Sequence, residues 1–324
     1  MKVCIYGAGA IGGWIGSGLA RAGCSVSVVA RGATLDALQL HGLRLIQDGR
    51  MSSQAVASSA APAELGVQDL VVLTVKAPSL PDVVQQIAPL LGPDTIVLTA
   101  MNGVPWWFLQ GFGGTLAGTR LNSVDPTGAL AQAIPAQQVI GCVVHASCSL
   151  DEPGLVRHNF GNKLILGEPS GEKSERVQRL AALLEKAGFE APLSEQIQQD
   201  IWFKLWGNMT MNPISALTGA TTDRILGDEL VRGFVSSIML EAKAIGARLG
   251  IHIEQQPEDR HAVTLKLGAF KTSMLQDVEA GKAVELDALV AAVKELGQLT
   301  QVATPFTDAL LGLARLQARV HGLY

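Results

Sequence analysis

The chain has 324 residues, of which 48% are hydrophobic and 17% charged, with a formal net charge of −4. That length suits about two domains, the composition excludes a disordered chain, and the charge offers nothing to nucleic acid or to an anionic membrane surface. Apolar runs are too short to span a bilayer, and the four cysteines and six histidines have no metal-binding spacing, so no metal is expected and the thiols read as buried and reduced in a cytoplasmic protein.

The chain starts on an apolar strand, Val3-Cys4-Ile5-Tyr6, and no secretory signal is expected ahead of it. Gly7-Ala8-Gly9-Ala10-Ile11-Gly12 follows and runs into a helical pattern. In a GxGxxG turn the first glycine permits the bend and the second lets backbone approach a pyrophosphate. The third brings the new helix close to the strand, with free amides facing the anion. Residues 24–30 read as a second strand, which ends at Arg31 instead of an acidic residue. An acidic residue there would bind a ribose hydroxyl and favour NAD. A guanidinium suits a 2′-phosphate through paired charge-assisted bonds, so NADP(H) is the expected cofactor. The alternative is a solvated arginine with no ligand.

Further on, residues 43–46 and 54–56 look like a hairpin, and 70–75 is a buried parallel strand by its unbroken Val and Leu. A helix is expected over 79–91 and a strand over 95–99. Residues 106–135, rich in glycine, read as a long surface excursion. Strands resume at 139–148, 155–158 and 163–166, before a helix near 173–187 and a short strand at 190–193. From 195 onward only helical spacing remains, over 230–249, 263–274, 286–299 and 306–320. The expected architecture is a Rossmann-like, doubly wound α/β domain over residues 1–193, followed by an all-helical domain over 194–324. A substrate cleft is expected between the two.

The most pointed chemistry lies in Lys204-Leu205-Trp206-Gly207-Asn208-Met209-Thr210-Met211-Asn212-Pro213. Lys204, Asn208 and Asn212 are four residues apart, so one helix stacks them on one face. Two asparagines in two turns of an otherwise apolar helix need a reason, since Asn is a poor helix former and costly to bury unpaired. A polar stripe at a domain seam is the bland alternative.

Taken together, these segments resemble the ketopantoate reductases (2-dehydropantoate 2-reductases). Resemblance extends to Thr74-Val75-Lys76-Ala77, Asn102-Gly103, Ser273-Met274-Leu275-Gln276-Asp277, Glu285-Leu286-Asp287 and Thr304-Pro305, in that family's order, and covers almost the whole chain. It implies reduction of 2-dehydropantoate to (R)-pantoate, a step of pantothenate biosynthesis, by hydride from NADPH. Lys204 matches the general acid and Glu285 a cleft carboxylate that orients it or assists proton delivery. Asn208, Asn212 and Ser273 match substrate contacts, and Lys76 and Asn102 match cofactor contacts, with Asn102 also meeting substrate. Gly7, Ala8, Gly9, Ala10, Ile11, Gly12 and Arg31 complete the NADPH site. Alternatives are a reductase of another 2-oxo acid, a dehydrogenase of the 6-phosphogluconate or hydroxyisobutyrate type, and a non-catalytic NADP(H) sensor. The apolar C-terminal helices suit a homodimer contact and suit packing within the chain equally well, so the sequence leaves the oligomeric state open.

Departures from the family pattern cluster around the substrate. Phe270 stands where a polar group, often Asn, would help to hold the carboxylate. Thr221 and Thr222 fall where some members place another Asn, and Val290-Ala291 replaces an Asn-Gly pair. Residues 105–135 look longer than the matching loop, and Trp106-Trp107-Phe108 adds bulk beside Asn102.

Overall fold

β-branched and leucine-rich runs set up the central strands, while the two at the sheet edges, Arg50–Gln54 and Ala57–Ser59, carry mainly polar and small residues. The computed structural model describes residues 1–324 as two units, Met1–Met101 with Gly128–Ile197, and Asn102–Thr127 with Gln198–Tyr324. In the first unit lie β1 (Lys2–Tyr6), α1 (Ala10–Arg21), β2 (Ser25–Val29), α2 (Gly32–His41), β3 (Leu43–Gln47), β4 (Arg50–Gln54), β5 (Ala57–Ser59) and β6 (Leu70–Leu73). After them come α3 (Leu80–Gln86), β7 (Ile96–Thr99), α4 (Ala129–Ala133), β8 (Val139–Glu152), β9 (Leu155–Gly167) and α5 (Glu175–Lys186).

All nine strands form one sheet, in the order β4-β3-β9-β8-β7-β6-β1-β2-β5. From β5 to β8 every pairing is parallel, the arrangement of a doubly wound dinucleotide-binding sheet. Beyond β8 the sheet becomes mixed. β9 runs antiparallel to β8, β3 parallel to β9, and β4 antiparallel to β3. The long β8–β9 pair carries register shifts near Ser147 and Leu150, which bend it.

That bend curls the sheet over α1, which explains a helix with four glycines. A Cβ on Gly13 would lie 2.6 Å from Val156 of β9, and one on Gly16 2.9 Å from Ile5 of β1 and 3.0 Å from Leu43 of β3. One on Gly18 would meet the Phe189 ring at 2.5 Å. Trp14, buried on the same helix, stacks on His158 and meets Phe189 edge-on. Glycine is thus selected along α1 by neighbours on several sides, at some cost in helix propensity.

Several local expectations change in detail. The helix at 79–91 shortens to α3 plus a 3-10 turn at Ala88–Leu90: Pro81 sits in the first turn of α3, where proline is tolerated, and Pro89 falls at the break. The expected strands at 155–158 and 163–166 are one, β9. Residues 190–193 form only isolated bridges to Lys163 and Leu166.

In the second unit lie α6 (Ile197–Thr218), α7 (Thr222–Gly227), α8 (Glu229–Arg248), α9 (Pro257–Leu265), α10 (Ser273–Glu279), α11 (Ala292–Thr300) and α12 (Pro305–Val320). The helix expected over 263–274 is instead the end of α9, a loop and the start of α10, the break falling at Gly268 (φ +63°). Residues 106–127 are not the surface excursion their glycines suggested. Trp106, Trp107, Phe108 and Leu109 are buried in the second unit, where Phe108 packs on Trp202 of α6 with ring centroids 5.9 Å apart. The Gln198 side chain donates to the Phe108 carbonyl, and the Glu295 carboxylate of α11 accepts from the Asn122 and Ser123 amides at 2.7 and 2.8 Å. Apolar aromatics bridged by glycine turns make an ordered strap, since their burial outweighs the entropy of ordering it.

Candidate active site

In the first unit, β1 delivers the chain into Gly7, whose φ of +102° is open to glycine and strained for other residues. Its amide donates to Val29 at the end of β2, and its carbonyl accepts from the Thr74 hydroxyl at 2.7 Å. A Cβ on Gly12 would sit 2.1 Å from that carbonyl, so the third glycine is needed for close helix packing. Gly9 differs. It has an ordinary φ of −71°, and a Cβ there would meet no protein atom within 4 Å. It caps α1 with no side-chain bond to the first-turn amides, and no acidic side chain lies in that turn. The turn therefore fits a dinucleotide: space is kept open at a helix N-terminus where an anion's charge is favoured.

Arg31 is the N-cap of α2, two residues beyond the end of β2 at Val29, and its guanidinium reaches Asp82 at 3.1 Å. Both side chains are mostly exposed, 64% and 54%, so the pair is weak and can exchange for a phosphate. Asp82 is a feature that reading the sequence missed, because it lies 51 residues away on α3. Lys76 is half-buried just after β6, where it opens a short 3-10 turn.

In the second unit, α6 is oriented by two tryptophans. Trp202 and Trp206 donate their indole N–H groups to the Ala242 and Met239 carbonyls of α8, at 3.2 and 2.6 Å. Gly246 makes room for the first, since a Cβ there would be 2.6 Å from the Trp202 Nε1. With that side of α6 fixed, Lys204, Asn208 and Asn212 fall on a different side of the helix. The Lys204 Nζ donates to the Asn102 Oδ1 at 2.8 Å. No protein group hydrogen-bonds the Asn208 or Asn212 side chain, yet neither has a polar atom sealed from outside. Buried or half-buried amides left in this condition are placed for a ligand.

Asn102 is itself held in place. Gly103, at φ +84°, has no space for a Cβ, which would be 2.7 Å from the Ala288 carbonyl, and the Val104 amide donates to that carbonyl at 2.8 Å. Ala288 belongs to a π-helical turn at Asp287–Ala291, and Glu285 is buried two residues before it. Turns of this kind recur at functional sites. The second unit thus brings Lys204, Asn102 and the segment bearing Glu285 together.

Ser273 is not drawn in by any bond: it is exposed at the first position of α10, where Thr272 supplies the cap to the Leu275 amide. Thr222 is structural, its hydroxyl donating to the Gly268 carbonyl and its amide to that of Phe270. Val290 is buried in the π turn.

A dinucleotide turn in one unit and a lysine–amide face in the other define an oxidoreductase of the nicotinamide-dependent class. Residues 3–105 match the family model described as "Ketopantoate reductase PanE/ApbA", and residues 196–318 the model for its C-terminal part. A 2-dehydropantoate 2-reductase of Mesorhizobium japonicum is 52% identical over the full length of both chains. Among solved structures, a Ralstonia solanacearum MolK2 protein ascribed to the ketopantoate reductases is 57% identical with a TM-score of 0.96, covering 100% of this chain and 99% of that one. The 2-dehydropantoate 2-reductase of Methylococcus capsulatus is 30% identical with a TM-score of 0.83, over 99% and 98% of the two chains. This chain belongs to the ketopantoate reductase family.

Proposed function

We propose that the chain reduces 2-dehydropantoate to (R)-pantoate with NADPH, the reduction carried out in pantothenate biosynthesis. The observation that carries this reading is the Lys204–Asn102 hydrogen bond beside the open Asn208 and Asn212 amides, in a chain so similar to a curated 2-dehydropantoate 2-reductase. Gly7 to Gly12 would hold the pyrophosphate, Arg31 the 2′-phosphate, with Lys76 and Asn102 as further contacts. When bound, NADPH supplies a hydride to the ketone carbon. The Lys204 ammonium donates a hydrogen bond to the ketone oxygen, stabilises the negative charge that grows there, and passes its proton to form the alcohol. Asn102 orients that ammonium. Asn208 and Asn212 offer amide donors and acceptors to the substrate, Ser273 a hydroxyl, and Glu285 a carboxylate for proton return to Lys204.

The assay is direct: purified protein, NADPH and ketopantoate, followed by loss of NADPH absorbance. Turnover with ketopantoate well above that with other 2-oxo acids supports the reading; turnover of a different 2-oxo acid alone replaces the substrate and keeps the class. NADPH binding with no turnover of any 2-oxo acid would leave the sensor reading. A cytoplasmic setting and a homodimer go with this assignment, the latter checked by sedimentation of the purified chain. No helix is long and apolar enough to cross a membrane.

A further inference from the structure

One cation of the second unit is not used by the chemistry above. Arg260, on α9, lies across α6, its guanidinium carbon 5.3 Å from the centroid of the Phe203 ring. It rests on the backbone of Gly207, where a Cβ would come within 2.9 Å of Nε and 3.3 Å of Nη2. The glycine in mid-helix is thereby explained: any side chain would push the guanidinium aside. No carboxylate pairs with Arg260; its Nε is sealed in without a partner, and its two Nη groups, which also lack protein partners, are the ones open to a ligand. Burial alone pulls its pKa below the ordinary arginine value, with no acidic neighbour to offset it.

A guanidinium partly removed from water, stacked and held in place without a counter-ion is a costly arrangement unless an anion completes it. Gly207 is adjacent to Asn208 and one turn beyond Lys204. The cation therefore borders the face that carries the amides left open. We infer that Arg260 is the specificity-determining residue that binds the carboxylate of the 2-oxo acid substrate, positioned by Gly207 and Phe203. The inference rests on the proposed reductase function but does not require ketopantoate itself. Two parallel N–H···O bonds from a fork-shaped guanidinium suit a carboxylate and fix its plane, which a lysine could not do.

The test uses oxamate, an unreactive mimic of a 2-oxo acid carboxylate, titrated calorimetrically into the NADPH complex of the full chain. Arg260→Gln should weaken oxamate on the order of 10- to 100-fold while leaving NADPH affinity unchanged. Arg260→Lys should recover part of the loss. Gly207→Ala is a second route that leaves Arg260 in the chain: it should weaken oxamate too, while the helix gains propensity and thermal stability does not fall. In turnover, Arg260→Gln should raise KM for the acid far more than for its uncharged methyl ester, a split that a merely structural arginine would not produce. Equal oxamate affinity in wild type and Arg260→Gln, or no oxamate binding by wild type, overturns the inference. So does a loss confined to NADPH, which would assign the guanidinium to a cofactor phosphate. Failure of the wild type to reduce ketopantoate, with oxamate binding still dependent on Arg260, overturns the substrate but not this role.

Discussion

The turn ahead of α1 and the face of α6 reach function by opposite means. The first is made by leaving side chains out. Gly7, Gly9 and Gly12 matter through what is missing, and the groups the turn offers to a ligand are backbone amides. The second is made by adding polar side chains to a helix of Trp, Leu and Met. Added atoms are therefore expected to do harm at the turn, and removed ones along the Lys204–Asn208–Asn212 face.

The strongest way to sharpen that contrast is Lys204→Ala. Its kcat should fall on the order of 10²- to 10⁴-fold, with NADPH affinity unchanged by fluorescence titration; equal loss of both would merge the two regions into one function. Next comes the opposite operation, Gly12→Ala. A methyl 2.1 Å from the Gly7 carbonyl cannot be accommodated in place, so urea unfolding should show a loss of about 1–3 kcal/mol or more. Gly9→Ala is the control within the same turn. With no protein atom within 4 Å of the new methyl, stability should hold while NADPH binding weakens about tenfold, ~1.4 kcal/mol. If Gly9→Ala instead destabilises the fold and spares NADPH, the open space is not a cofactor cradle. The smallest effect concerns Arg31. Arg31→Asp should weaken NADPH much more than NADH, and Asp82→Asn should tighten NADPH slightly by freeing the guanidinium, with stability unchanged because the pair is so exposed. Equal weakening of both cofactors would remove Arg31 from the 2′-phosphate.

The same contrast explains what could be read from the sequence. Gly7 to Gly12 and the parallel strands β1, β2, β6 and β7 are local patterns, so spacing and β-branched runs reveal them. Lys204, Asn208 and Asn212 are legible for the same reason, four-residue spacing on one helix. What stayed hidden depends on distant parts of the chain. The mixed end of the sheet pairs β3 with β9 across more than a hundred residues, and no local pattern announces it. Trp106 to Leu109 sit among glycines that suggest a loop, yet large aromatics in such a loop are the sign of burial. The only trace of Arg260 was Gly207, a helix breaker in mid-helix whose occupant is supplied by α9. Asp82 left no trace at all beside Arg31.

The strap at Asn102–Thr127 also decides what can be separated. The chain leaves the first unit after Met101, returns at Gly128 and leaves again after Ile197. Neither unit is therefore a continuous stretch of polypeptide. A fragment starting at residue 198 would hold Lys204 but lack the Asn102 side-chain oxygen that accepts its hydrogen bond, and it would expose Trp202 where Phe108 now packs on it. A fragment of the first two hundred residues would keep the glycine turn and carry Trp106, Trp107 and Phe108 with nothing to bury them. Lys204 therefore does not sit on an independent cassette, because the segment that connects β7 to β8 is a piece of the other unit's core.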